Sequence, residues 1–388
     1  MTLAGNWNYP TAICFGAGRL KALAGLCKSS HISHPLVVTD PALATLPPVQ
    51  ALMAELDSAG IRYALFHELR PNPLGRDVEA GVAAFRSGGH DGVIAIGGGS
   101  ALDVGKTIAL MAGQTRPLWD FEDVGDNWTR VDVAGMAPLI ALPTTAGTGS
   151  EVGRAALIIN EREARKVIIF HPKMLPQQVI ADPELSIGLP PSLTAATGID
   201  AFVHNFEAFC APGYHPMADG IALEGMRLVH GYLQRAVDNG HDLEARAQML
   251  AASIMGATAF QKGLGAVHAL AHPIGAVFNI HHGLANAILL PYVMQRNRSA
   301  IHDKLNQLAR VLTLPGTGFD AVYDWVLQLR AACAIPDTLA AIGLDSRRAD
   351  EIATMAKADP SDSGNPCTLS VADYRALFIA ATEGLHHG

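Results

Sequence analysis

The chain has 388 residues, 49% of them hydrophobic and 16% charged, with a formal net charge of -8. That length carries two domains with proper cores, and the acidic balance, with no basic run anywhere, argues against nucleic acid as a partner. Cys14, Cys27, Cys210, Cys333 and Cys367 are odd in number and show no CxxC, which points away from a disulfide framework and towards a reducing, cytoplasmic compartment. No apolar run is long enough to span a bilayer, and the opening "MTLAGNWNYPTAICFGAGRL" lacks the basic and apolar regions of a signal peptide.

The first half alternates between two periods. "HPLVVTD" reads as a short buried strand ending in Asp40, and "PPVQALMAELDSAG" as a helix stopping at Gly60. "IRYALFHEL" follows as a strand and "RDVEAGVAAFRSGG" as a helix. "DGVIAIGGGS" is a buried strand ending in glycines, "ALDVGKTIALMAG" a helix, and "APLIALPTTAGTGS" a strand running into a turn of small residues. Alternation of this kind predicts a parallel, doubly wound sheet, whose ligands sit at the carboxyl ends of its strands.

After about residue 185 the texture changes. "SLTAATGIDAFVHNFEAFC", "MADGIALEGMRLVHGYLQRAV", "LEARAQMLAASIMGATAFQKG" and "DAVYDWVLQLRAACA" all carry helical periodicity, separated by turn residues. The expected organisation is an α/β domain over 1–185 and an all-α domain over 186–388, with the boundary in "ADPELSIGLPP". There is no internal repeat and no low-complexity tail.

Two turns in the first domain suit a dinucleotide. Gly97, Gly98, Gly99 and Ser100 close a strand and open a helix, where glycines let a pyrophosphate approach the backbone and the helix N-terminus offers unpaired N–H groups. Leu102 stands where a G-x-G-x-x-G motif would have its third glycine, so the turn by itself is weak evidence. "PTTAGTGSE" adds the hydroxyls of Thr144, Thr145 and Thr148 near the same sheet edge. Asp40 ends the earliest strong strand, where a carboxylate accepts from both ribose hydroxyls and repels a 2′-phosphate, favouring NAD over NADP; the alternative for Asp40 is a turn or N-cap residue.

The second domain holds a cluster of metal-type ligands. Asp200 and His204 are four apart in a Pro-free helical run, which puts both on one face, about 6 Å apart along the axis. His268 and His272 repeat that spacing, and His281 and His282 follow a short loop. Asp200, His204, His268 and His282 make a shell suited to zinc or ferrous iron, with His272 and His281 competing for places. A single charged ligand leaves such a cation strongly Lewis acidic, a reagent more than a staple. The remaining histidines, His386 and His387 among them, lack such company and read as structural or exposed.

Together, "GGGSALDVGK", "LPTTAGTGSEV", "ADPELSIGLPPSLTAATGIDAFVHNFEAF" and "GAVHALAHPIGAVFNIHHGLANAILLP" resemble the iron-containing (group III) alcohol dehydrogenases, in the right order over nearly the whole chain. The resemblance implies an N-terminal Rossmann-like domain and an all-helical C-terminal domain, the dehydroquinate synthase-like fold. It implies Asp200, His204, His268 and His282 as ligands of Fe²⁺, with Zn²⁺ the alternative, and His272 as a proton relay near the nicotinamide. It implies NAD contacts at Asp40, Asn72, Gly98, Gly99, Ser100, Thr144, Thr145, Thr148, Lys166, Leu185 and Gly188. His281 departs from the apolar residue or proline that usually precedes the last ligand. Gly153 replaces a common threonine, and Cys367 a common arginine.

The activity so implied is interconversion of a small primary alcohol and its aldehyde, by hydride transfer to NAD from an alkoxide on the metal. "AFQKGLGAVHALAHP" leans towards the 4-hydroxybutyrate dehydrogenase-like members. On that reading Phe260 and Lys262 face the substrate, and Lys262 pairs with the carboxylate of 4-hydroxybutyrate or succinate semialdehyde; the alternative for Lys262 is a solvated helix residue. Other readings are a lactaldehyde reductase or propanediol dehydrogenase-like activity, a metal-independent maleylacetate reductase, and a dehydroquinate synthase-like lyase. The partners expected are a small alcohol or aldehyde and further copies of the chain, as a homodimer or larger homo-oligomer.

Overall fold

Strands that read as unbroken apolar runs form the middle of the sheet. In the computed structural model, which describes residues 11–163 and 165–385, every residue of β2 (Pro35–Val38), β4 (Gly92–Gly97) and β5 (Leu139–Pro143) is buried. Such strands are covered on both faces, the normal condition of a parallel sheet between helices. With β1 (Ala12–Phe15), β3 (Ala64–Phe66) and β8 (Gln178–Ala181) they make six strands in the order β1-β8-β5-β4-β2-β3. Every pairing is parallel. The connecting helices include α1 (Leu23–Ser29), α2 (Pro47–Ser58), α3 (Gly75–Ser87) and α4 (Gly99–Met111). Leu23, Val49, Leu52 and Leu56 pack on Val37, Ile94, Ile96, Ile140 and Leu142 in one core cluster.

The sequence reading passed over one element, an antiparallel hairpin of β6 (Ala155–Asn160) and β7 (Arg165–Phe170). Its β6 strand alternates buried and half-buried residues and bridges to Leu74, with the Ile159 N–H donating to the Pro73 carbonyl at 2.8 Å. The expected second strand over "IRYALFHEL" shortens to three residues at the sheet edge.

The chain divides into two compact units between Leu189 and Pro190. From Pro190 on, the described residues contain helices and no strand: α5 (Pro191–Cys210), α6 (Pro216–Asp238), α7 (Leu243–Ala259), α8 (Ala266–Phe278), α9 (His282–Val311), α10 (Gly318–Ala332), α11 (Ala349–Ala358) and α12 (Val371–Glu383). From Thr194 to its end α5 is buried on all sides, as a helix with apolar residues around its whole circumference must be. Its polar residues are therefore buried too, and each must find a partner. Asn205 donates to the Ala201 and Ala252 carbonyls at 2.8 and 3.0 Å. Asp200, His204 and Glu207 meet their neighbours in the cluster described below.

The stretch from His268 to His282 is two helices parted by a short loop. Asn279 adopts left-handed φ 53° and ends α8; His281 then caps α9, its ring Nδ1 accepting from the Leu284 N–H. No described helix is long and apolar enough to cross a membrane, and all five cysteines are free thiols. His386, His387 and the first ten residues of the chain lie outside the described residues.

One buried carboxylate ties the start of the α/β unit to its last strand. Asp182, just past β8, accepts from the N–H groups of Gly18, Leu20 and Glu184 at 3.2, 2.9 and 3.0 Å. Asp182→Ala strands three donors, so the chemical denaturation midpoint of this unit should fall by an amount equivalent to about 1–3 kcal/mol; an unchanged midpoint would show that water replaces the carboxylate.

Candidate metal centre and dinucleotide site

Three helices bring the metal-type side chains together. Asp200 and His204 leave one face of α5, His268 and His272 one face of α8, and His282 opens α9. One ligand atom from each of Asp200, His204, His268 and His282 lies within 4.8 Å of all the others. Four ligands around one tetrahedral cation stand about 3.4 Å apart, for bonds of about 2.1 Å. Asp200 Oδ1 lies 4.0 Å from His204 Nε2 and 3.8 Å from His282 Nε2. Asp200, His204 and His268 are all buried. The ring centroids of His204 and His268 are 4.7 Å apart, those of His268 and His282 5.2 Å.

Close helix packing sets this geometry. A Cβ at Gly283 would lie 2.5 Å from the Ala196 carbonyl oxygen and 3.1 Å from Asp200 Cβ. Only a bare Cα lets the first turn of α9 rest on α5 and hold His282 over Asp200.

The donor set also suits a cation chemically. Asn286, one turn along α9 from His282, aims its amide nitrogen at the centre of the cluster. Nδ2 lies 2.7 Å from Asp200 Oδ1, 3.2 Å from His268 Nε2 and 3.1 Å from His282 Nε2. Two amide hydrogens face three acceptors, while Asn286 Oδ1 is buried with no hydrogen-bond partner. Converging lone pairs in so dry a place want a positive charge between them.

Two carboxylates that the sequence reading did not single out stand behind the histidines. Glu207 Oε2 lies 2.6 Å from His268 Nδ1. Burial pushes the His268 imidazole down, but the hydrogen bond and charge of Glu207, with the charges of Asp200 and Asp359, outweigh it and raise its pKa. Asp359 Oδ2 lies 2.8 Å from His272 Nδ1. Burial pushes the Asp359 carboxyl up, yet His272 and the Ser361 hydrogen bonds hold it below the ordinary carboxylate range. The signal for Glu207 was present: it follows Asp200 and His204 at i+7 and i+3, on the same face. Asp359 had none, being far off in sequence on the turn after α11.

His272 stacks on His282 with centroids 5.4 Å apart and rings 11° from parallel, beside the four-residue cluster but not in it. His281 serves as the α9 cap. Phe260 sets its ring 5.3 Å from that of His204. Lys262 is a correction: its ammonium is buried and already paired, 2.5 Å from Asp219 Oδ1 and 3.2 Å from the Phe209 carbonyl, with Lys304 on the other Asp219 oxygen at 2.8 Å. The reading this overturns is that of a solvated helix residue. Cys367, at the arginine position, has Arg296 Nη1 4.0 Å from its sulfur.

In the α/β unit, Asp40, the Gly98–Ser100 turn and the Thr144–Thr148 loop follow β2, β4 and β5, three adjacent parallel strands, at their carboxyl ends. Gly98 is the N-cap of α4. A Cβ at Gly99 would lie 2.7 Å from Thr148 Cγ2, and one at Gly98 3.4 Å from Thr145 Cγ2, so the two loops are packed backbone against side chain. The Thr144 N–H donates to the Gly97 carbonyl at 3.0 Å. Asp40 has both of the roles weighed for it within reach: Oδ1 accepts from the Leu43 N–H at 2.9 Å, while Oδ2 faces the Gly97 backbone. The hairpin carries Lys166 to Asn72, Nζ to Oδ1 3.1 Å, with Asn72 in a left-handed conformation at φ 54°. Leu185 is buried in the core cluster, and the space around the Gly188 Cα is open.

Residues 10–183 match the family model described as iron-containing alcohol dehydrogenase, and residues 194–382 the C-terminal model of the Fe-containing alcohol dehydrogenase family. The 4-hydroxybutyrate dehydrogenase of Cupriavidus necator is 38% identical over 382 residues, 95% of this chain and 98% of the relative. A crystal structure of 1,3-propanediol oxidoreductase superposes with TM-score 0.92 at 32% identity, over 97% of this chain and all of that one. That of the sulfoacetaldehyde reductase from Bifidobacterium kashiwanohense, in complex with NAD⁺, gives 0.88 at 28% identity, over 98% and 99%. The chain belongs to the iron-containing alcohol dehydrogenase family, NAD-linked, metal-dependent oxidoreductases that interconvert alcohols and aldehydes. The expected fold is the observed one: a parallel α/β sheet unit followed by a helical unit.

The packing at Gly283 carries a prediction of its own. Gly283→Ala should lower the melting temperature by a few degrees, from overpacking of about 1–3 kcal/mol, and weaken divalent-metal binding in the same protein; metal affinity equal to the unaltered chain would show that α9 can shift without moving His282.

Proposed function

We propose that the protein is an NAD-dependent dehydrogenase of a short primary alcohol, with Fe²⁺, or Zn²⁺ in its place, held by Asp200, His204, His268 and His282. The observation that carries this reading is the gathering of four ligand atoms within 4.8 Å of one another. On the same reading residues 1–185 bind the dinucleotide, and residues 186–388 hold the metal and the substrate.

When bound, the cation supplies Lewis acidity to an alcohol or carbonyl oxygen, and the nicotinamide accepts or gives the hydride. The chain's own residues do the rest. His272 donates its Nδ1–H in a hydrogen bond to the Asp359 carboxylate, which leaves Nε2 to take and release a proton while the carboxylate steadies the charged ring. Phe260 provides an apolar wall beside His204. Gly98, Gly99 and Ser100, at the start of α4, form the cradle for a pyrophosphate with Thr145 and Thr148 of the loop after β5, and Thr144 lies beside them. Lys166 and Asn72, a hydrogen-bonded pair, contact the cofactor, and Leu185 and Gly188 offer backbone groups. Asp40 Oδ2 takes the adenosine ribose and selects NAD.

The alcohol is of the 4-hydroxybutyrate type, a reading supported by 38% identity along nearly the whole length of a 4-hydroxybutyrate dehydrogenase. A neutral diol is the second reading, supported by the likeness to 1,3-propanediol oxidoreductase. A homodimer or larger homo-oligomer in a reducing cytoplasm completes the picture; free thiols at all five cysteines support the compartment.

Three measurements test this. Metal analysis with NADH formation from 4-hydroxybutyrate, 1,2-propanediol, 1,3-propanediol and ethanol should show turnover that a chelator abolishes, and Asp200→Ala should lose metal and turnover together. Chelator-resistant turnover would point instead to a metal-free reductase of the maleylacetate type. Asp40→Ala should raise KM for NAD and bring NADP into use, and an unchanged preference would return Asp40 to its turn. Because Lys262 already faces Asp219, Lys262→Ala should lower the melting temperature and alter KM for succinate semialdehyde and propanal alike; a selective effect on the former would restore it to the substrate.

A further inference from the structure

Glu207 lies on the α5 stripe that carries Asp200 and His204, with its carboxylate buried between α5 and the start of α8. Two backbone N–H groups and one ring nitrogen point at it. Oε1 accepts from the Val267 N–H at 2.8 Å, and Oε2 from the Gly265 N–H at 2.9 Å. Oε2 also lies 2.6 Å from His268 Nδ1. The backbone groups can only donate, so this carboxylate is an acceptor on every side. The His268 ring must therefore carry its proton on Nδ1.

The opposite edge of the ring agrees. His268 Nε2 faces Asn286 Nδ2 at 3.2 Å, and an amide nitrogen can only donate. With a donor in front and an acceptor behind, the imidazole is held as the Nδ1–H tautomer, its Nε2 lone pair aimed at Asp200 and His282. A carboxylate behind a ligating histidine fixes ring and tautomer and makes the nitrogen a better ligand.

We propose that Glu207 is a positioning residue of the metal centre: without touching the cation, it holds His268 in the one tautomer and orientation that can ligate. This rests on the reading that Asp200, His204, His268 and His282 bind a divalent ion.

Glu207 also caps α8, so its effect on metal must be separated from its effect on the fold. Asn365 supplies the control. Its Oδ1 accepts from the Ala266 N–H at 3.1 Å, the donor between the two that Glu207 serves, and no hydrogen bond joins it to His268. In a glutamine at 207, one end of the amide opposes a donor in either orientation, and neither orientation offers the ring a carboxylate.

The experiment is Zn²⁺ competition against a chromophoric chelator, on full-length apoprotein, with melting temperatures alongside. Glu207→Gln should weaken Zn²⁺ binding about 10- to 100-fold, whereas Asn365→Ala should lower the melting temperature and leave Zn²⁺ affinity within about threefold. If both variants melt earlier and both bind Zn²⁺ like the unaltered chain, Glu207 is only a helix cap and the proposal fails. If Asp200→Ala also binds like the unaltered chain, it is the four-ligand site itself that is wrong. A measurement on the unaltered protein covers the case in which Glu207→Gln does not fold. Nitrogen-15 spectra of the histidine-labelled, Zn²⁺-loaded chain should show the His268 proton on Nδ1, identified by its loss in His268→Gln; a proton on Nε2 overturns the assignment.

Discussion

Acceptor lone pairs gathered in a dry interior cost free energy until something positive lies among them. In this protein Asp200, His204, His268 and His282 are gathered in that way, and the helical unit is arranged so that they cannot drift apart. α5 is buried on all sides from Thr194 on, so its carboxylates and the His204 imidazole are largely shielded from water. The first turn of α9 rests on α5 at Gly283 with no room for a methyl group. α8 begins on Glu207, which satisfies two of its N-terminal N–H groups, one with each oxygen, and meets His268 Nδ1 through the oxygen that also serves Gly265. The packing and the polar network enforce one another, and the chemistry expected of a divalent ion follows from that rigidity.

The α/β unit solves a different problem with different means. A pyrophosphate needs backbone N–H groups and close approach, and the unit offers them where parallel strands end and helices begin. Three neighbouring strands deliver Asp40, the glycine turn and the threonine loop to one edge of the sheet. The β6–β7 hairpin, a sheet of its own, docks on the segment beside Asn72 and sets Lys166 against it. Each group comes from a different part of the chain, and the sheet order makes them neighbours.

Several polar residues look alike in sequence and serve different ends. His281 and His282 are adjacent, yet one caps α9 with Nδ1 while the other joins the cluster. Lys262 sits close to Phe260 and the His268 helix, where a cation for a carboxylate substrate would be sought. Its charge is instead taken up by Asp219, which it shares with Lys304, in an ion pair that links α6, the turn after α7, and α9. The carboxylates behind His268 and His272 come from α5 and from the turn after α11, with no common local pattern.

What the sequence determined by itself are the things that short-range periodicity encodes. Apolar runs closed by Asp40, by glycines and by a turn of small residues placed β2, β4 and β5, and the four-residue spacings of Asp200 with His204 and of His268 with His272 put each pair on one helix face. The motifs in their order sufficed to name the family. The short β6–β7 hairpin escaped because it stands outside the parallel strand–helix alternation and is held to the rest of the unit only by isolated bridges to Leu74 and Glu122. Tertiary structure alone decided which of two adjacent histidines turns inward, that Asp219 neutralises Lys262, and that Glu207 and Asp359 stand behind the imidazoles. Those outcomes depend on contacts between helices distant in sequence, and a side chain's partner across such a contact leaves no periodic trace in the chain that carries it.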